Sequence, residues 1–361
     1  MTASDLRKAV PFLLLAGVVA AFYNLRSCAP GKDTTSGAAV SAAPTGRPRP
    51  GPGRAPSAAG AAQGSASAEQ KEPNGRAVFT AKWGSGDDEL GHERPQEGAP
   101  TGPMSLGVDS KGRVTVLDSV NGRLVRRGAD GKTDVMKIGL LDPQDMAVGP
   151  DGSTAVLDRY ADKMVAVYDE SGNLRGELPL QGEGVEDVGS VTGVFVDGDG
   201  VYVEREHGPL VQIGTTNGQP VDPRSEIPGR PSRDGLSFLK AGIVDPPEGR
   251  VYVASIDRAT GENRFTRELR LQAFVRSIVL LDTDKTGTIY FATEVEQGEG
   301  QEMVLLNCLE PLQGVVVGSA VLPVNTLPEE TFRDFVVLDE GGVIYSLRTE
   351  QGVSYLKYDC E

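Results

Sequence analysis

The stretch SLGVDSKGRVTVLDSVNGRLVRRGADGK, residues 105 to 132, sets three short alternating apolar runs between turns, and its core returns forty residues later. In GRVTVLDSVNGRLVRRGADG from Gly112 and GSTAVLDRYADKMVAVYDESG from Gly152, Val116 matches Val156, Leu117 matches Leu157 and Asp118 matches Asp158. Weaker copies follow at Gly198, Gly249, Gly287 and Gly341. The runs alternate with period two, which excludes a helical solenoid. Six copies span 229 residues from Gly112 to Gly341, about 46 per interval, the length of one four-stranded propeller blade.

Each copy has an apolar run before its glycine turn and most have a third alternating run after it, as in MVAVYD, MVLLNC and VSYLKYDC. The fold expected is therefore an all-β, six-bladed β-propeller of four-stranded blades. AVFTAKWG, residues 77 to 84, has no glycine-turn copy in front of it, and the last copy stops at its third strand. The first strand is expected to complete the last blade by pairing near residues 353 to 359, which removes a free edge and joins the two ends of the ring.

These residues carry a family resemblance. PMSLGVDSKGRVTVLDSVNGRLVRRGADGK, from Pro103, resembles an NHL repeat: a Pro, an apolar strand ending in Asp, a Gly turn, a strand ending in V-x-D, an Asn and an Arg. The copy from Pro143 is similar, and the likeness is strong over residues 79 to 175. It implies a propeller that serves as a binding platform for protein or nucleic acid, with a minority of related propellers acting as lyases or lactonases.

Three regions are expected: a signal peptide or membrane anchor at 1–28, a flexible linker at 29–76 and the propeller at 77–361. Arg7 and Lys8 precede the uncharged run AVPFLLLAGVVAAFYNL, residues 9 to 25, which is a membrane address. LRSC, residues 25 to 28, resembles a bacterial lipobox with Cys28 as the lipidated residue, although Arg26 departs from the pattern; an uncleaved anchor is the other reading. Both put the propeller on the periplasmic or extracellular side of a bacterial cell envelope. Residues 29 to 75 contain 12 Ala, 8 Gly and 7 Pro with Val40 as the one larger aliphatic, a composition that cannot bury a core.

Charge separates the candidate partners. Removing the 9 basic and 4 acidic residues of the first 76 from the totals leaves 27 and 47, a formal charge of about −20 on the propeller. Such a surface repels phosphate, so nucleic acid is not an expected partner. Envelope or membrane proteins are, with loops 84–102 and 215–235 as the expected contact surfaces because they are the longest insertions between copies.

The chemistry-bearing residues are few. Asp118 and Asp158 are read as acceptors for backbone N–H groups in the turns that follow them, and Gly112, Gly152, Gly198, Gly249, Gly287 and Gly341 as turn residues between first and second strands. His92 and His207 are too few for a multi-histidine zinc site. DGDGVYVERE offers Asp197, Asp199, Glu204 and Glu206 as oxygen donors, with Asp197 and Asp199 the weak candidates for calcium, but a solvated acidic turn is the plainer reading. Cys308 and Cys360 end matching strands of adjacent copies and stand either as a disulfide or as two separate thiols. The sequence thus favours a chain that is not an enzyme: a membrane-tethered interaction or scaffold propeller. A calcium-dependent lactonase-like hydrolase, or a small-ligand-binding envelope propeller, is the alternative. At least three carboxylates or amides from different blades within metal-ligand reach would favour the enzyme.

Overall fold

The computed structural model describes residues 75–298 and 300–361, so the expected anchor, nearly all of the linker and the Cys28 lipidation site lie outside the described residues. The described chain is built from β-strands, with one three-residue 3-10 turn at Val188–Ser190. The strands form six separate sheets, one per blade.

In chain order from the inside outward, blade 1 is Ser105–Val108, Val114–Asp118, Arg123–Arg127 and Thr133–Lys137. Blade 2 is Asp145–Val148, Thr154–Asp158, Met164–Tyr168 and Leu174–Pro179. Blade 3 is Val191–Asp197, Gly200–Arg205, Leu210–Thr215 and Glu226–Ile227. Blade 4 is Arg230–Pro231, Ser237–Asp245, Arg250–Asp257 and Asn263–Arg270. Blade 5 is Phe274–Thr283, Ile289–Gln297, Gln301–Leu309 and Val316–Leu322. Blade 6 is Phe335–Val337, Val343–Thr349 and Gly352–Tyr358, closed on its outside by Arg76–Trp83.

The closure is the expected one. Arg76–Trp83 runs antiparallel to Gly352–Tyr358, with Ala77 opposite Leu356 and Ala81 opposite Val353. Phe79 stacks on Tyr355 with ring centroids 4.3 Å apart. Trp83 donates its indole N–H to the Thr349 carbonyl, 2.9 Å away. Each blade buries alternate faces against its neighbours: Leu157, Val165 and Leu178 of blade 2 meet Val194, Val203 and Ile213 of blade 3, all fully buried. The same alternation that marks the repeat in the sequence thus makes the inter-blade cores.

Blade 4 corrects the expected phase of the repeat. Gly249 is expected between first and second strands, but the runs on either side of it, AGIVD and RVYVAS, lie in the second and third strands, and Gly249 turns between those two. The true inner strand is the two-residue Arg230–Pro231, too short to show alternation and carrying a proline that a strand tolerates only at an edge. Gly249 still needs to be glycine: its φ is 65°, and a Cβ there would lie 1.8 Å from the Leu271 carbonyl oxygen. The other five repeat glycines sit between first and second strands, also at positive φ.

Loop 215–235 is likewise corrected. It is not a free insertion, because it supplies the outer strand of blade 3 and the inner strand of blade 4. Loop 84–102 is also built in: Glu89–Leu90 runs parallel to Lys82 and Trp83, and the carbonyls of Ser85, Gly86 and Glu89 accept hydrogen bonds from Arg123.

The blades differ in height. Inner and middle strands of blades 1 and 2 have 4 or 5 residues, whereas the last three strands of blade 4 and the first three of blade 5 have 8 to 10. At about 3.3 Å per residue the difference is roughly 10 to 15 Å. Arg230 pairs with Leu239 and its guanidinium reaches the Leu281 carbonyl, so Lys240–Asp245 and Phe274–Leu280 stand beyond it. They rise on the face where the inner strands begin, and form a wall beside the axis.

Candidate functional site

The face where the inner strands begin is called the mouth here. It receives Asp145 at the start of the inner strand of blade 2, Phe195 from blade 3 and Arg230 from blade 4. The connector from blade 5 to blade 6 adds Phe332 and Arg333, both of whose backbone N–H groups donate to the Met104 carbonyl of blade 1's approach.

Arg333 closes the axis. Its Nη2 donates to Asp145 Oδ2 at 2.8 Å and to the Val194 carbonyl at 3.0 Å, and its Nε donates to Asp145 Oδ1 at 3.2 Å. Asp145 is 1% exposed and also accepts from the Ser105 hydroxyl at 2.7 Å and the Val194 N–H at 2.9 Å. One carboxylate therefore ties blades 1, 2, 3 and 6 together. Burial lowers the basicity of Arg333, but Asp145 more than offsets it, so the guanidinium is held charged. The space behind it, lined by Ser105, Arg333, Ser346 and Arg348, leaves no room for a water molecule.

Phe195 lies between two guanidiniums, Arg333 5.0 Å and Arg230 5.1 Å from its ring centroid. Arg230 forks onto Glu204 with contacts of 2.7 and 3.1 Å, and Thr192 donates to the same carboxylate at 3.0 Å. Burial pushes the Glu204 carboxyl up, but Arg230 and His207 together outweigh burial and hold it at about 2. His207 Nδ1 stands 3.6 Å from Glu204, with the side chain 76% exposed at the mouth. It belongs to a tight turn in which Glu206 and His207 both adopt positive φ, 52° and 54°, a conformation that costs non-glycine residues energy and that the surrounding contacts must hold.

Opposite the wall, Arg159 of blade 2 lies between two rings, Tyr160 at 4.5 Å and Phe332 at 4.9 Å. Floor, aromatic rim and wall all stand at the mouth, and the group is called the cup below.

Several residues singled out in the sequence serve the fold. Asp118 and Asp158 are both fully buried at the ends of second strands. Asp158 accepts the Ala161 and Asp162 N–H groups of its own turn and the Asp142 N–H. Asp118 differs: its N–H donor is Gly91 from the preceding loop, and its other partners are the side chains of Asn121 and Arg123. Asp197 pairs with Arg258 at 2.6 Å on the opposite face from the mouth, and Asp199 is exposed in the turn. Among the described residues no group of three or more His, Cys, Asp or Glu is placed to hold a metal ion. His92 donates its Nε2–H to Glu329, 2.7 Å away, stacks on Trp83 and anchors loop 84–102 together with Arg94. Cys308 and Cys360 form a disulfide with Cα atoms 6.2 Å apart.

The mouth residues Phe195, Arg230, Phe332 and Arg333 were not singled out by the sequence. For Glu204 a signal existed: it stands six residues after Gly198, as Asp118 and Asp158 stand six after Gly112 and Gly152. It is the third blade's copy of the buried strand-end acid.

No family model matches the chain, and no curated protein matches it. Solved structures do. The chain is similar to virginiamycin B lyase from Staphylococcus aureus, at 11% identity over 72% of this chain and 95% of that one, with a TM-score of 0.40. It is similar to the calcium-binding protein regucalcin from Agrobacterium tumefaciens, at 13% identity over 80% and 94%, TM-score 0.43. A luciferin-regenerating enzyme matches at 11% identity over 71% and 90%, TM-score 0.41. The chain is a six-bladed β-propeller, and at these identities the likeness is one of fold. The expectation that the chain is not an enzyme is withdrawn: enzymes such as virginiamycin B lyase and the luciferin-regenerating enzyme stand among the propellers of this fold that it is similar to, beside WD40 repeats. Among the described residues no helix is long and apolar enough to cross a membrane.

Proposed function

We propose that the chain is a ligand-binding β-propeller of the bacterial cell envelope, carried on its N-terminal anchor and linker, whose ligand sits in the cup at the mouth. The observation that carries this reading is Phe195 held between Arg230 and Arg333 at the axis, under the raised wall of blades 4 and 5. An aromatic floor among preorganised cations suits a small ligand with a flat or apolar body and a polar end. Ile243, Val244, Phe274 and Val279 of the wall are exposed and give apolar surface within the same assembly. The envelope address is supported by the apolar run after Arg7 and Lys8 and by the Cys308–Cys360 disulfide, which suits an oxidising compartment.

The test is a thermal-shift screen of small acids, sugars and heterocycles on the detergent-solubilised chain, repeated with the double variant Ile243→Asp and Phe274→Asp. A ligand that raises the melting temperature of the native chain in a saturable way, and loses that effect in the variant, supports the cup. Ligands whose stabilisation is untouched by the variant would place binding elsewhere and refute it.

A further inference from the structure

Most guanidiniums around the mouth already have a carboxylate. Arg230 has Glu204, Arg333 has Asp145, Arg205 has Glu226 and Arg348 has Asp334. Arg159 is different: among the described residues it makes no ion pair within 4 Å. Its Nη1 donates to the Val191 carbonyl at 2.6 Å, its Nη2 to the Tyr160 hydroxyl at 2.5 Å, and its Nε–H is buried with no partner. A guanidinium has five N–H donors, so one on Nη1 and one on Nη2 remain open to a ligand, while the buried Nε–H does not. The plane is nonetheless fixed, by Tyr160 on one side and by Phe332 on the other. Phe332 itself packs against the core between blades 2 and 3, so the clamp is part of the fold and not a loose surface contact.

Resting on the cup reading, we propose that Arg159 is the anchor for an oxyanion, a carboxylate or a phosphate group, on the ligand that the cup takes. A charged planar fork held in place with open donors matches the two oxygens of such a group, and its orientation costs no further entropy on binding. The exposed Tyr160 ring beside it offers a face to the apolar body that carries the anion. The strongly negative chain leaves this cation as a local exception, which favours an anion able to reach the mouth over one that is merely attracted to the surface.

The experiment is equilibrium dialysis of the solubilised full-length chain against 4-phenylbutyrate, inorganic phosphate and acetate. Saturable uptake of 4-phenylbutyrate, tighter than acetate, identifies a carboxylate with an apolar body; saturable uptake of phosphate identifies a phosphate group. Either should weaken at least tenfold in Arg159→Gln, and less in Arg159→Lys, which keeps the charge and loses the fork. Arg264→Gln, on the opposite face and paired with Asp257, should bind as the native chain does. Urea midpoints of the variants establish that each is folded. Uptake that is unchanged in Arg159→Gln but lost in the Ile243→Asp and Phe274→Asp double variant overturns the anchor and leaves the cup standing. The absence of saturable uptake of all three probes overturns the anchor, and uptake indifferent to every one of these variants overturns anchor and cup together.

Discussion

Lowering the pH should cost this propeller stability through Glu204 in a window that the structure defines. The side chain is 2% exposed, so solvent screens its interaction with Arg230 very little. Folding moves its carboxyl from an ordinary 4.5 to about 2. A pKa depressed by folding means that the unfolded chain binds the proton more readily, so the contribution is complete above the unfolded value and disappears as pH falls through the folded one. At 1.36 kcal/mol per pH unit, this amounts to about 3 kcal/mol at neutral pH, lost between roughly pH 5 and pH 2. Glu204→Gln removes that proton linkage and also leaves Arg230 without its counter-charge, which costs about 3 to 5 kcal/mol at pH 7. Urea unfolding followed by far-ultraviolet circular dichroism at pH 7, 5, 4 and 3 measures both chains. The gap between them should be widest at pH 7 and shrink steadily below pH 5. A gap that stays constant from pH 7 to pH 3 would mean that Glu204 is not held by Arg230 in the manner described, and would refute the reasoning.

Further expectations concern the ring itself. Reducing the disulfide, or replacing Cys308 and Cys360 by Ser, frees a loop defined by a sequence separation of 52, which by chain entropy lowers stability by about 4 kcal/mol in urea unfolding. Gly318→Val should hinder formation of that disulfide, because its first side-chain carbon would come 2.9 Å from Cys360 Cβ; thiol titration would then find free cysteine where the native chain has none at these positions. Arg123→Met removes the partner of buried Asp118 and three contacts to carbonyls of loop 84–102, so stability should fall by about 3 to 5 kcal/mol and protease cleavage should begin in that loop.

What could be read from the chain and what could not have the same physical cause. Strands that alternate between two buried faces advertise themselves, so Val114–Asp118 and Thr154–Asp158 were legible, as were the spare strand Arg76–Trp83 and its partner Gly352–Tyr358. Arg230–Pro231 has no such pattern, because two residues held by a side-chain fork onto Glu204 need no strand propensity at all. That shifted the expected phase of blade 4 by one strand and made 215–235 look like a loop. The mouth was hidden for a related reason: Asp145, Phe195, Arg230 and Arg333 are far apart in the chain and meet only because ring closure turns each inner strand toward one axis. Pairwise spacing carries no trace of that convergence. Position within the repeat does carry one, and Glu204 shows how: aligned six residues after its glycine with Asp118 and Asp158, it appears as a buried acid rather than as one member of an acidic turn. The same alignment puts Thr293 in that place in blade 5, fully buried, whereas in blade 4 the count from Gly249 falls on the third strand, at Ser255. Acids fill the position in blades 1 to 3, and across the axis from blade 3 it is Arg333, lent by the blade 6 connector, that pairs with Asp145.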